Sequence, residues 1–153
     1  MKILVSACLL GENCKYSGGN NYNQAVCDFA RGHQVVPVCP EVLGGLPTPR
    51  CPAEIVQGVV TNKEGINVDR EFRAGAAKAL AIAKENGVEL AILQSRSPSC
   101  GVKEIYDGMF SGTKIPGQGV FAKMLMDEGI RVLDAGELPK IILKNEDGKC
   151  QSD

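Results

Sequence analysis

The chain predicts a single α/β domain built on a parallel β-sheet, and three observations carry that expectation. Its length of 153 residues suits one core and is too short for two. Short, continuously apolar runs alternate with longer stretches whose apolar residues recur every three or four positions. The composition, 44% hydrophobic and 23% charged, is that of an ordinary soluble globular protein and indicates neither disorder nor a fibrous structure. A net charge of -1 gives no basis for non-specific attraction to nucleic acid or to an anionic membrane, so any phosphate must be met locally.

Residues 2–7 read as a strand covered on both faces, ending at Cys8. Residues 11–21 are a loop rich in turn formers, followed by a helix over about 22–31 with Gly32 as its stop. Residues 34–38 form the second strand, which runs into Cys39-Pro40-Glu41, and residues 44–52 hold too much Gly and Pro for a helix or a central strand. Residues 55–61 and 66–68 look like a small β-hairpin with its turn at 62–65. Asp69 is placed to cap the next helix, 70–86, in which Phe72, Ala76, Ala79, Leu80 and Ala83 make an apolar stripe closed by Gly87. A third buried strand over 88–94 leads into Ser95-Arg96-Ser97-Pro98-Ser99-Cys100-Gly101. Residues 106–119 are Gly-rich and irregular, 120–128 a helix and 130–133 a fourth strand, with room for one short helix after Glu137.

Strands alternating with helices imply right-handed βαβ crossovers. The expected architecture is a single-domain Rossmann-like parallel sheet over residues 1–138, with helices on both faces and the small β-hairpin as an insertion. Residues 139–153 form a C-terminal tail. The first apolar run is too short for a signal peptide, and no stretch approaches the roughly 20 apolar residues that cross a bilayer, so the cytoplasm is the expected compartment.

Seven cysteines, an odd number without a secretory signal, argue against a disulfide scaffold and for metal or catalytic use. Three segments share one layout: an apolar strand, a cysteine at its carboxyl end, then a Pro- or Gly-containing loop. They carry Cys8, Cys39 and Cys100. Ligands of such sheets bind outside the carboxyl ends of the strands, and neighbouring strands lie roughly 4.8 Å apart, so the three thiols can converge. Three thiolates suit a soft metal or an iron–sulfur cluster rather than Mg²⁺ or Ca²⁺. Zinc is less attractive, because His33 is the only histidine and no Cys-x-x-Cys is present. Buried structural thiols are the competing reading. Cys27 fits that role, and Cys150 reads as a tail residue. A fourth ligand could come from Cys14 or Cys51; if neither binds, one iron of a four-iron cluster stays open to substrate.

Ser6-Ala7-Cys8-Leu9-Leu10-Gly11 with Tyr16-Ser17-Gly18-Gly19 forms a first motif. Pro37-Val38-Cys39-Pro40-Glu41-Val42 with residues 44–50, and Ser97-Pro98-Ser99-Cys100-Gly101, form two more. In this order they resemble the TudS thiouracil desulfidase family, over residues 2 to about 138. The resemblance implies a [4Fe-4S] cluster held by Cys8, Cys39 and Cys100 with the fourth iron free. It also implies removal of sulfur from thiolated uracil compounds, including 4-thiouridine monophosphate, without net redox change. By the same resemblance Glu41 serves proton transfer and Ser97 proton relay or orientation of the attacked group. Cys14 and Cys51 depart from the family pattern and are taken as bystanders.

A small-molecule thiolated pyrimidine or nucleotide needs something for its phosphate. Lys15, Arg50, Arg96 and Lys103 lie in the same loops as the candidate ligands, and Gly18 and Gly19 could expose backbone amides. Solvated loop charge is the competing reading for each cation. The Gly117-Gln118-Gly119 turn is a weaker anion candidate. The alternative function is a non-catalytic iron–sulfur or metal-binding redox sensor, and after it a cluster-free nucleotide-binding module with structural thiols.

Overall fold

The computed structural model describes residues 1–138; the expected tail and Cys150 lie outside the described residues. In chain order the elements are β1 (Lys2–Ser6), a 3₁₀ turn (Ala7–Leu10), α1 (Gln24–Ala30), β2 (Gln34–Val38) and α2 (Pro40–Leu43). There follow β3 (Ala53–Val56), β4 (Val59–Asn62), α3 (Asp69–Glu85), β5 (Leu90–Leu93), β6 (Glu104–Tyr106) and β7 (Lys114–Pro116). The described part ends with α4 (Val120–Asp127), β8 (Arg131–Asp134) and a 3₁₀ turn (Ala135–Glu137).

The central sheet has the order β2-β1-β5-β8 and is parallel throughout, as the alternation of elements predicts. Ile3 pairs with Val35 on one side and Leu90 on the other, so β1 is hydrogen-bonded along both edges. Pro37, which cannot donate to a ladder, stands on the outermost strand. The connections out of β1 and into β5 run to opposite sides, which makes the β1/β5 boundary the topological switch point.

Alternate residues of β1 and β5 feed two cores. Leu4, Ala91 and Leu93 pack with Phe72, Ala76, Ala79 and Ala83 of α3 and with Phe121 and Leu125 of α4. Ile3, Val5, Leu90 and Ile92 pack on the other face with Leu9, Val26 and Ala30. This two-sided burial is why both strands read as unbroken apolar runs rather than alternating ones. Among the described residues no helix is long and apolar enough to cross a membrane.

Three expectations need correction. The hairpin turns at Gln57 and Gly58, where φ is 50° and 84°, joining β3 directly to β4. Two consecutive positive φ values make the primed turn that suits strand twist, and Gly58 makes it cheap. Residues 62–65 form a second turn, in which the Asn62 side chain accepts from the Glu64 and Ile66 amides. Asp69 opens α3 without capping it: its carboxylate accepts from the Val60 amide at 3.0 Å and from Arg73 Nε at 2.7 Å. Burial pushes that carboxyl up, but the Arg73 and Val60 hydrogen bonds outweigh it and hold it below the ordinary value. The segment 106–119, expected to be irregular, contributes to a second antiparallel hairpin, β6–β7.

The four residues of α2 follow Cys39 and begin with Pro40, whose fixed φ suits the first helical position. They lie backbone to backbone on α3. A Cβ on Gly75 would overlap the Pro40 carbonyl oxygen and come within 2.8 Å of the Gly44 nitrogen, and one on Gly44 would overlap the Glu71 carbonyl oxygen. Alanine in place of a mid-helix glycine ordinarily stabilises by about 1 kcal/mol. Here the clash is with backbone that cannot rotate away, so overpacking of about 1–3 kcal/mol decides the sign. Gly75→Ala is therefore expected to lower the thermal midpoint by several degrees, read by circular dichroism; an unchanged or raised midpoint would show that the contact yields.

Candidate functional site

Parallel pairing delivers the carboxyl ends of β1, β2 and β5 to one edge of the sheet, and a cavity of about 590 Å³ opens there. Cys8, Cys14, Cys39 and Cys100 line it together with Glu41, Ser97 and Ser99. Cys8 sits in the 3₁₀ turn after β1, Cys39 is the residue between β2 and α2, and Cys100 lies in the loop after β5.

The sulfurs are held by donors. Asn21 Nδ2 donates to Cys8 Sγ at 3.4 Å, and the Ser6 hydroxyl hydrogen-bonds Cys100, while Ser99 Oγ lies 3.6 Å from Cys100 Sγ, a longer contact than the one it makes to Glu41. Burial is the main reason that the Cys8 thiol is raised, with Cys39 and Glu41 adding to it. Burial likewise pushes Cys100 up to about 12, against hydrogen bonds with Ser6 and Ser99. Cys14, expected as a bystander to the cluster, lines the same cavity. Its thiol is pushed up to about 12 by burial and by the neighbouring Cys39 and Cys8, and Cys39 Sγ donates to its carbonyl at 3.8 Å. Cys51 lines the cavity as well, while Cys27 is half-buried on α1 with its thiol 3.9 Å from the Leu9 carbonyl.

Glu41 is fixed from two sides. Arg50 Nε donates to Oε1 at 3.0 Å, and Nη2 lies 2.9 Å from the same oxygen. Both side chains are largely withdrawn from water, 7% exposed for Arg50 and 14% for Glu41, so the pair is screened far less than a surface ion pair. Arg50 also donates to the carbonyls of Cys14 and Pro47 and to Thr48 Oγ1, which engages all three of its nitrogens.

The other oxygen of Glu41 meets two serines. Ser99 Oγ donates to Oε2 at 2.9 Å, and Ser97 Oγ lies 3.5 Å away. Ser97 Oγ accepts from the amides of Ser99 and Cys100, each at 3.0 Å, which occupies both its lone pairs. Its own hydrogen must therefore be donated, and Ser99 Oγ at 2.9 Å is the nearer acceptor. The hydroxyls then run one way, from Ser97 to Ser99 to Glu41. Ser99 is a residue the sequence reading missed; the second serine of Ser97-Pro98-Ser99 was the available signal. The loop itself is pinned by the start of α4, whose Val120 and Phe121 amides donate to the Pro98 and Ser99 carbonyls. Those amides face backbone, so the Gly117-Gln118-Gly119 turn serves this contact. A Cβ on Gly119 would approach the Ser99 carbonyl carbon to 2.5 Å.

The expected phosphate contacts separate. Lys15 and Arg96 line the cavity, and Lys63, which the sequence reading did not single out, joins them. Lys103 pairs with Glu137 at 2.7 Å and is not part of the cavity wall. Gly18 and Gly19 form a turn beyond the wall, with the Gly18 amide donating to the Lys15 carbonyl at 2.9 Å.

Three thiols on separate loops, two of them donor-supported, are a soft donor set suited to iron–sulfur ligation. Among the described residues no three His, Cys, Asp or Glu side chains close on one point as a single ion would require. A cuboidal cluster asks for something different, since each thiolate takes its own iron. The residues fit such a group.

Fold and site together define a Rossmann-like α/β protein with a thiol-lined cavity at the switch point of its sheet. A model of the family described as 2-thiouracil desulfurase matches residues 3–137, and the chain belongs to that family. It is similar to the [4Fe-4S]-dependent thiouracil desulfidase TudS, a solved structure, with a TM-score of 0.84 and 40% identity over 95% of this chain and 97% of that one. It is also 41% identical over 150 residues to the uncharacterized protein YbbK of Bacillus subtilis (strain 168), covering 92% of this chain and 99% of that protein. The cofactor expected from the sequence is thus the one by which the solved relative is named.

The raised thiols give the metal-free protein a pH signature. Cys100 in the folded chain keeps its proton to about 12, whereas the unfolded thiol releases it near 9.0. Between these values the unfolded state binds fewer protons, so stability falls as pH rises and is intact below the lower value. Thermal melts of the cluster-free protein are expected to show midpoints dropping above pH about 9, and less steeply in Cys100→Ala. Parallel slopes for the two proteins would contradict this.

Proposed function

We propose that this protein is a cytoplasmic [4Fe-4S]-dependent desulfidase that removes sulfur from thiolated uracil compounds, 4-thiouridine monophosphate among them, by attack of water on the ring carbon. Membership of the family supports the activity. The observation that carries the reading at this chain is the meeting of Cys8, Cys39 and Cys100 with a clamped carboxylate, Glu41, around one cavity.

Cys8, Cys39 and Cys100 would hold the cluster. When bound, it supplies a soft, Lewis-acidic iron that no protein thiolate occupies, matched to a thiocarbonyl sulfur. The reaction balances without oxidant or reductant: C=S and H₂O give C=O and H₂S. The chain's own residues handle the protons. Arg50 neutralises Oε1 of Glu41, which leaves Oε2 as the oxygen that takes a proton from the attacking water. Ser99 holds that oxygen in place, and Ser97, oriented by two backbone amides, holds Ser99. Lys15 and Arg96, with Lys63, would meet the phosphate of a nucleotide, while Arg50 serves Glu41 instead.

Anaerobic reconstitution with iron and sulfide, followed by assay of sulfide release from 2-thiouracil and 4-thiouridine monophosphate, tests the reading. The wild-type protein is expected to turn over at least one of them. Glu41→Gln should retain the cluster's visible absorption yet lose about 100-fold or more in kcat. Cys8→Ala, Cys39→Ala and Cys100→Ala should each lose the absorption itself. A loaded cluster that leaves both thiolated compounds intact would overturn the proposal and favour a redox sensor.

A further inference from the structure

Backbone strain points to a second wall of the cavity. Among the described residues three that are not glycine have positive φ: Gln57, Arg96 and Phe110. Gln57 is explained by the β3–β4 turn. Arg96 and Phe110, at 64° and 54°, both line the cavity. An aromatic residue rarely adopts this conformation, and such residues persist only where the surroundings impose them, often at ligand sites.

The surroundings here are specific. Phe110 lies in the loop joining β6 to β7, and that loop is tied to β3 by one carboxylate. Glu54 Oε1 accepts from the Gly108 amide at 2.9 Å and from the Phe110 amide at 3.1 Å. Gly108 is seated against β3 so closely that a Cβ would stand 2.6 Å from the Ile55 carbonyl oxygen. Within the loop, the Asp107 amide donates to the Thr113 carbonyl at 2.9 Å, and the Met109 amide to Asp107 Oδ1 at 2.9 Å. The loop is thus a built structure, held in the one place where its strained residue faces the cavity.

Aromatic rings are scarce in this chain. It has three tyrosines, four phenylalanines and no tryptophan, yet Tyr16, Tyr106 and Phe110 all border the cavity. Phe72 and Phe121 are the core aromatics; the Phe110 side chain stays half-buried at the cavity instead of joining them. A half-buried ring on the wall of a site proposed to take pyrimidines has an evident use, because base–aromatic stacking is favourable and tolerant of ring substituents.

We propose that Phe110 is a specificity-determining residue whose ring stacks on the substrate pyrimidine, and that Glu54 is the positioning residue that holds it there. The inference rests on the functional reading above and adds to it the means by which the heterocycle is recognised.

The cluster-loaded protein provides the test, with 2-thiouracil as probe. Phe110→Leu keeps an apolar side chain but removes the π face; it should raise KM about 10-fold while kcat changes less. Glu54→Ala should do the same, and Glu54→Gln, which keeps an acceptor oxygen, should recover most of the loss. Because the chain has no tryptophan, Phe110→Trp gives a single tryptophan that can be excited apart from the tyrosines. Its fluorescence should be quenched on adding 2-thiouracil, an equilibrium readout that does not depend on turnover. Wild-type KM in Phe110→Leu, or no quenching in Phe110→Trp while that variant still turns over 2-thiouracil, would overturn this inference and leave the function standing. A wild-type protein that binds no thiolated pyrimidine would overturn both.

Discussion

Parallel hydrogen bonding of β1 to β2 along one edge and to β5 along the other is the constraint on which the site depends. Parallel strands all end on the same side, so three stretches far apart in sequence release their loops into one small region. Each carries one of Cys8, Cys39 and Cys100. Had β5 paired antiparallel to β1, its loop would leave from the opposite edge and carry Cys100 away from Cys8. Burial of β1 and β5 on both faces makes such an arrangement costly to alter, because a shift of one residue would turn two apolar sets at once.

Around that frame, the polar side of the cavity is ordered by contacts that leave little freedom. Arg50 takes one oxygen of Glu41, the serines take the other, and the amides of Ser99 and Cys100 orient Ser97. Backbone proximity does the coarser positioning. Gly44 and Gly75 let α2 lie on α3, and Gly119 lets the start of α4 close on the Ser97–Cys100 loop. The carboxylate, the hydroxyls and the cysteine-bearing loops beside them are thereby tied to the two longest helices of the described chain.

Much of this could be read in the residues. The apolar runs of β1, β2 and β5 and the stripe of α3 announced themselves, as did the placing of Cys8, Cys39 and Cys100 after strands. What escaped depended on distant partners. The role of Ser99 arises from Glu41, 58 positions away, and Arg50 reads as a free loop cation until its bonds to Glu41 and to the Cys14 carbonyl are seen. The strands β6 and β7 have three residues each, in a segment whose glycines signal only irregularity. The first hairpin misled for a local reason. Asn62 and Gly65 look like stronger turn formers than Gln57-Gly58, and both pairs turn.

The double acceptance at Ser97 has a directional consequence. A hydroxyl whose lone pairs are already taken can give its hydrogen but cannot receive another, so the line to Glu41 behaves as a one-way conduit. Any proton that Glu41 acquires therefore has no return path through the serines and must depart by the open side of the carboxylate, into the cavity itself.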